Sequence, residues 1–218
     1  MTIRSVKVWD PIVRLFHWSL VIAFFVAYFT EPEDSGFAVH VWAGYFVGGL
    51  LVLRVVWGFI GSPHARFSDF AFGPFRALRY LMDLLRGKSK RHLGHSPAGA
   101  WMVYFLLATL SATVLTGMVV LAMDKHAGPL ARLFETAAPP VSVVEPPASR
   151  TEGERALARG TSSDGAAEKA VEEAHELLAN FVLALVIFHL LGVVLASLAH
   201  RENLVRSMVT GYKRSQET

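Results

Sequence analysis

Four apolar runs, each long enough to cross a lipid bilayer, dominate the sequence; they cover residues 15–30, 37–60, 97–123 and 177–199. A helix needs roughly 20 mostly apolar residues to span a hydrocarbon core of about 30 Å. The first run is short, but its flank can extend it into the headgroups, and a polar helical stretch that starts near residue 168 leads into the last run. We therefore expect one all-α domain, an integral membrane four-helix bundle with helices over about 14–30, 37–60, 97–123 and 171–199.

The composition agrees with a membrane protein and excludes several chemistries. Of the 218 residues, 53% are hydrophobic and only 18% are charged, whereas soluble domains carry about a quarter charged residues. The chain has no cysteine, which excludes disulfides, thiolate zinc sites, iron–sulfur clusters, covalently attached c-type haem and thiol nucleophiles. The pI of about 9.3 does not indicate nucleic acid, because the basic residues lie between the apolar runs.

The charges of the connecting segments predict the orientation in the membrane. Residues 1–16, 61–97 and 200–218 together hold 14 Lys/Arg and 5 Asp/Glu. Residues 31–36 have three acids and no base, and residues 124–176 have ten acids and six bases. Since basic loops stay in the cytoplasm, we expect both termini and the 61–97 loop to be cytoplasmic. We then expect a multi-pass membrane protein surrounded by lipid.

The two long connections differ in character. The outer one is rich in Pro, Ala, Ser, Glu and Gly, so we expect it to be flexible over about 124–168, with a short helix over 128–136. The inner one is expected to carry an amphipathic helix over 75–85 that lies on the membrane surface.

Four histidines, His17, His40, His175 and His189, lie within or at the edges of the apolar runs. A single such residue is usually a hydrogen-bonded packing histidine, but the four occur at two depths. His17 and His189 lie near the inner surface, and His40 and His175 near the outer one. Fourteen residues separate His175 from His189, which is roughly 21 Å and nearly four whole helical turns, so the two share one face.

Two histidines on facing helices can occupy both axial positions of a haem iron, and two such pairs predict an electron path across the membrane. Hydrolytic zinc is disfavoured, because the HELLA sequence at 175–179 has Ala where the second zinc-binding His is required. A transporter's proton relay is disfavoured as well, since the helix centres contain no Asp or Glu. His92 and His95 are spaced to bind a metal, but a solvated loop is the favoured interpretation.

Arg54 is the one charged residue deep within an apolar run, fourteen residues after His40. The same helical arithmetic places it on the haem-facing side, at the level of the inner histidine pair. Two interpretations stay open: it hydrogen-bonds a propionate of the inner haem, or its side chain snorkels to the cytoplasmic surface.

Several segments together resemble one family. They are VWDPIVRLFHWSL, HVWAGYFVGGLLVLRVVWGFIGS, ARFSDF, GHSPAGA, HRENLV and GYK, and they are similar to the bacterial cytochrome b-561 family. That family is grouped with the b-type cytochrome subunit of membrane Ni,Fe-hydrogenases. The resemblance covers nearly the whole chain except the outer loop, which is longer than expected of minimal members.

The resemblance implies a four-helix membrane cytochrome with two b-type haems, ligated by His17, His40, His175 and His189. It also implies electron transfer between quinone or quinol and a redox partner, such as a periplasmic c-type cytochrome. Asp10, Glu31 and the inner-loop histidines are unranked candidates for proton exchange with quinone.

Other functions stay open at this point. One alternative is a hydrogenase anchor that reduces quinone, and another is a superoxide- or ferric-reducing enzyme. A haem-free scaffold or transporter is the alternative without redox chemistry. The oligomeric state is open too, a homodimer included.

Overall fold

The apolar runs form helices close to the predicted positions. The computed structural model describes residues 5–30, 36–134 and 152–215. The helices that contain the runs are α1 Pro11–Phe29, α2 Phe37–Ile60, α4 Pro97–Asp124 and α6 Glu152–Ala199. The remaining elements are strand β1 Ser5–Lys7, a 3₁₀ turn Phe67–Phe70, helices α3 Pro74–Leu85, α5 Ala131–Phe134 and α7 Leu204–Thr210, and strand β2 Tyr212–Arg214.

Four helical segments in this part of the chain are long and apolar enough to cross a membrane: Pro11–Phe29, Phe37–Ile60, Pro97–Asp124 and Gly165–Ala199. Helix α6 begins at Glu152, well before the expected start near residue 168. Residues 152–159 read EGERALAR and contain good helix formers, but residues 160–165 read GTSSDG, which helix propensity does not favour. Of the loop predicted to be flexible over about 124–168, residues 124–134 are described and contain α5, inside the short helix predicted over 128–136. Residues 135–151 lie outside the described residues.

The chain divides into two compact units, Met1–Ser111 with Phe181–Thr218, and Ala112–Asn180. In the first unit, Asp10 joins the start of α1 to the end of α2. Its carboxylate caps α1 by accepting the Val13 N–H at 2.9 Å. The same carboxylate accepts the Trp57 indole N–H at 3.2 Å and the Ser62 hydroxyl.

The two ends of the chain meet in the same unit. Strands β1 and β2 pair antiparallel, with Val6 opposite Lys213. The backbone N–H groups of Val8 and Trp9 both donate to the Gly211 carbonyl, at 2.8 and 3.1 Å. Gly211 has φ +87°, and a Cβ there would lie 2.7 Å from the Trp9 carbonyl oxygen. Glycine is therefore required at this position both by its conformation and by the close approach.

A buried ion pair fastens the C-terminal segment to the 61–97 loop. Arg91 donates two hydrogen bonds to Glu202, at 2.7 and 3.1 Å, and a third to the Arg214 carbonyl at 2.7 Å. Burial raises the pKa of Glu202, but the hydrogen bonds and charge of Arg91 and the charge of Lys213 outweigh burial and hold it below its ordinary value of 4.5. The N-terminal strand, the 61–97 loop and the C-terminal segment thus meet at one end of the first unit.

Helix α3, which belongs to the 61–97 loop, begins and ends within one residue of the predicted bounds. Tyr80 and Leu84 are buried, whereas Phe75, Leu78 and Leu85 are exposed. This division into a packed face and an exposed apolar face is what an interfacial helix requires.

We predict that Glu202→Gln loosens the C-terminal segment. The substitution leaves the Arg91 and Lys213 charges without their anion in a buried setting, at a cost of about 3 kcal/mol. Backbone amides of α7 and β2 should then exchange hydrogen roughly a hundredfold faster. Hydrogen exchange followed by mass spectrometry on the detergent-solubilised full chain measures this.

The matched control is Glu173→Gln, because Glu173 pairs with Lys169 at 3.9 Å on an exposed helix surface, where an ion pair contributes little. The folded pKa of Glu202 is depressed, so its contribution is present above the unfolded pKa and is lost as the pH falls through the folded one, below 4.5. Unchanged exchange in Glu202→Gln at neutral pH would show that the ion pair does not hold the segment.

Candidate functional site

His17 of α1 and His189 of α6 face each other in the first unit. Their ring centroids lie 6.3 Å apart, with an angle of 54° between the ring planes. Both rings are half-buried, and the Nδ1 atom of His17 is closed off from solvent without a hydrogen-bond partner among the described residues. A buried nitrogen without a partner is costly, so the pair is built to face another polar or metallic group.

The spacing of this pair fits a metal held between two imidazoles. Each metal–nitrogen bond is about 2 Å long, and a nitrogen lies about 1 Å from the centre of its ring, less than one bond length. Two ligands on opposite sides of one metal therefore have ring centres about 6 Å apart. The 6.3 Å separation of His17 and His189 agrees with that value, so these two residues would be able to hold the iron of a haem.

His40 is oriented by the end of helix α1. Its Nδ1 lies 2.9 Å from the Ala27 carbonyl oxygen, one of the last carbonyls of α1, which have no partner within the helix. Because a carbonyl can only accept, Nδ1 carries the proton and the lone pair is on Nε2. Donation of the other ring N–H to a carbonyl is the usual arrangement of metal-ligating histidines.

His175, in the second unit, is oriented in the same way by helix α4. Its Nδ1 lies 2.9 Å from the Thr113 carbonyl oxygen and 3.1 Å from the Thr116 hydroxyl. A Cβ on Gly117 would lie 2.8 Å from Cε1 of His175, so the absence of a side chain at Gly117 makes room for the ring. The sequence analysis missed this role, although a glycine in the middle of an apolar helix was a usable signal.

Arg54 does not reach solvent. The residue is only 4% exposed, its guanidinium lies 5.0 Å from the centre of the Phe67 ring, and its Nη1 has no hydrogen-bond partner among the described residues. The burial of Arg54 favours the first of its two interpretations over snorkelling into solvent. A buried guanidinium whose Nη1 lacks a partner suits an anionic group such as a haem propionate.

The interpretation of His95 as part of a solvated loop is wrong. Its ring packs edge-on against Trp9, with centroids 4.8 Å apart, and lies 4.3 Å from the ring centre of Phe70. Burial, and after it the positive charge of Arg54, lowers the pKa of His95 to about 3. His92, three residues earlier, has its Nδ1 at 3.0 Å from the Lys90 carbonyl.

The other candidate groups are less informative. Burial raises the pKa of Asp10, but its bonds to Ser62, Val13 and Trp57 outweigh burial and keep it below the ordinary value. The carboxylate is therefore committed to structural contacts. Glu31 lies outside the described residues. Within the described ranges, no group of three or more His, Cys, Asp or Glu is placed to hold a metal ion.

Comparisons with known proteins place the chain in a family. The family model described as prokaryotic cytochrome b561 matches residues 8–211. The chain is also 28% identical over 134 residues to a probable Ni/Fe-hydrogenase B-type cytochrome subunit from Rhizobium leguminosarum bv. viciae. That alignment covers 49% of this chain and 55% of the relative, so it spans about half the length of either protein. No solved structure matches the chain.

The family match extends over almost all of the chain, and the four membrane-spanning helices lie within it. The expected family is thus confirmed. The chain belongs to the prokaryotic cytochrome b561 family and is a multi-pass inner-membrane protein.

Proposed function

We propose that this protein conducts electrons across the inner membrane between two b-type haems. His17 and His189 hold the inner haem, and His40 and His175 hold the outer one. The observation that carries the proposal is the 6.3 Å separation of the His17 and His189 rings, which matches two axial ligands of one metal.

The histidines and Arg54 have separate tasks in this proposal. Each haem, when bound, supplies reversible one-electron chemistry at iron. The Ala27 and Thr113 carbonyls fix the tautomers of His40 and His175, which directs Nε2 to the metal and strengthens it as a ligand. Arg54 donates hydrogen bonds to a propionate of the inner haem. The apolar residues of the spanning helices keep water away, which tunes the potentials.

Quinone in the membrane and a periplasmic protein are the proposed redox partners, with both termini cytoplasmic. The basic composition of residues 1–16, 61–97 and 200–218 supports this orientation. An open apolar groove between α1 and α2, whose lining includes Val26 and Phe46, suits a lipid-soluble molecule. A c-type cytochrome is the proposed periplasmic acceptor.

A hydrogenase is the second candidate partner, and the name of the Rhizobium relative favours it. In that case the protein passes electrons from hydrogen oxidation to quinone. Isolation from the native membrane under mild detergent separates the two functions, because a hydrogenase partner would co-purify with the cytochrome. Turnover with superoxide or ferric ion tests the remaining redox alternatives.

Histidine substitutions test the proposed pairing. We predict that the wild-type protein binds two haems per chain and that His17→Ala and His189→Ala each lose the same haem. His40→Ala and His175→Ala should each lose the other one, because removal of an axial ligand weakens that site alone. Pyridine haemochrome counts and potentiometric titration of the visible bands measure both results.

His126→Ala is the control, since His126 is exposed at the end of α4, and it should retain two haems. A colourless wild-type protein would remove the proposal altogether. Loss of different haems from His17→Ala and His189→Ala would disprove the pairing alone.

The contact between Gly117 and His175 gives a second prediction. In Gly117→Ala the new Cβ meets the His175 ring at 2.8 Å, so the ring has to move and the outer haem should be lost or its potential altered. Gly192→Ala is the matched control, because a Cβ there meets nothing within 4 Å. If both variants keep two haems with unchanged potentials, His175 is not an axial ligand in this position.

A further inference from the structure

Five buried side-chain nitrogens in the first unit lack a hydrogen-bond partner within the described ranges: Nε of Arg14 and of Arg66, Nη1 of Arg54, and Nδ1 of His17 and of His95. Two of them, Nη1 of Arg54 and Nδ1 of His95, belong to side chains that approach the same aromatic rings, and the function proposed above uses only Arg54. Arg54 is 4% exposed, so its nitrogen has no access to water. Buried nitrogens are nearly always hydrogen-bonded in folded proteins, so one shared partner would satisfy both atoms.

Arg54 and His95 line the same aromatic cluster. The Arg54 guanidinium lies 5.0 Å from the Phe67 ring centre, and the His95 ring lies 4.3 Å from that of Phe70. Phe67 and Phe70 are 5.8 Å apart, and both rings lie within 6.0 Å of Tyr104. The two unpartnered side chains thus approach one region from α2 and from the segment before α4.

The electrostatic surroundings of His95 are positive. Apart from burial, the charges of Arg54, Lys213 and His64 all lower its pKa, and a hydrogen bond with the His64 backbone opposes them. Asp10 acts on Arg54, but its carboxylate is occupied by Trp57 and Ser62. A cluster of cations beside aromatic rings favours an anion, which would also stabilise a proton on His95.

The depth of Arg54 relates this cluster to the inner histidine pair. Trp57 contacts Asp10, which aligns the end of α2 with the start of α1. Arg54 is three residues from Trp57, and His17 is seven residues from Asp10. The difference is four residues. At 1.5 Å per residue, Arg54 therefore lies roughly 6 Å closer than His17 to the ends of α1 and α2 where Asp10 and Trp57 meet. The carboxylates of a haem leave the edge of the porphyrin several bonds from the iron, so this offset suits them.

We infer that Arg54 and His95 together form one oxyanion site, and that its occupant is a carboxylate of the haem held by His17 and His189. The inference rests on the proposed function and adds to it a second anion-binding residue, from the loop before α4. Arg54 donates from Nη1. His95 donates from Nδ1 as an imidazolium that the anion stabilises, while its other N–H is bonded to the His64 backbone. A phospholipid phosphate has the same oxyanion chemistry, and the experiment separates these two sources.

The first measurement is potentiometry on the purified holoprotein. Loss of a cation beside the carboxylate favours ferric haem, so Arg54→Gln should lower the reduction equilibrium constant of one haem about tenfold, which is about 59 mV. His95→Gln should shift the same haem in the same direction by a smaller factor. Arg54→Lys keeps the charge and should restore most of the potential. The other haem should not change.

The matched control is His92→Gln. This histidine belongs to the same loop, but its ring faces Tyr80 and Lys90, so both potentials should stay at their wild-type values. The inference is overturned if Arg54→Gln, Arg54→Lys and His95→Gln all have the same haem potentials as His92→Gln, while His95→Gln and Arg54→Lys still bind two haems. Wild-type protein with fewer than two haems would instead refute the proposed function.

The second measurement identifies the anion. Redox-difference infrared spectra are recorded on protein whose haem carboxylates carry ¹³C, introduced through labelled 5-aminolaevulinate. The inference expects an isotope-sensitive carboxylate band that shifts in Arg54→Lys and His95→Gln but not in His92→Gln. A band insensitive to the label, with a phosphate band that shifts in its place, would assign the site to phospholipid and overturn the inference.

Discussion

An imidazole ring inside the hydrocarbon layer must satisfy both nitrogens without water, and the proposed site depends on this constraint. In His40 and His175 one of the two nitrogens, Nδ1, is satisfied by a carbonyl on a neighbouring helix, that of Ala27 for His40 and that of Thr113 for His175. These bonds fix the tautomer and aim Nε2, so helix packing and ligand orientation are set by the same contacts. His17 does not yet meet it, because its Nδ1 is buried without a partner among the described residues.

The polar end of the first unit provides a rigid setting for the charged part of the site. Asp10 joins α1 to α2, the Gly211 carbonyl accepts from Val8 and Trp9, and Arg91 holds Glu202. Short segments that carried the family resemblance, such as VWDP and HRENLV, supply several of these groups. They close the ends of the apolar helices around Arg54 and His95, where a charge buried next to aromatic rings needs an anion.

Sequence reasoning succeeded where a property is local and failed where it depends on distant contacts. Helix α2 begins and ends at the predicted residues, because the length of an apolar run alone decides whether it spans a membrane. The burial of His95 depends on Trp9, far away in the sequence, and the role of Gly117 depends on a ring from another helix. The early start of α6 was missed, because residues 160–165 read GTSSDG, which helix propensity does not favour.

A haem-free scaffold accounts poorly for the unpartnered nitrogens. Histidines that only pack would have their nitrogens satisfied, yet Nδ1 of His17, Nη1 of Arg54 and Nδ1 of His95 are all buried without partners among the described residues. Each such atom costs about 1–3 kcal/mol, and a whole domain is stable by only about 5–15 kcal/mol. Haem carboxylates would accept hydrogen bonds from Arg54 and His95, which line the same aromatic cluster. The cost of leaving these two groups unpaired in a protein without haem therefore favours the cytochrome over a scaffold.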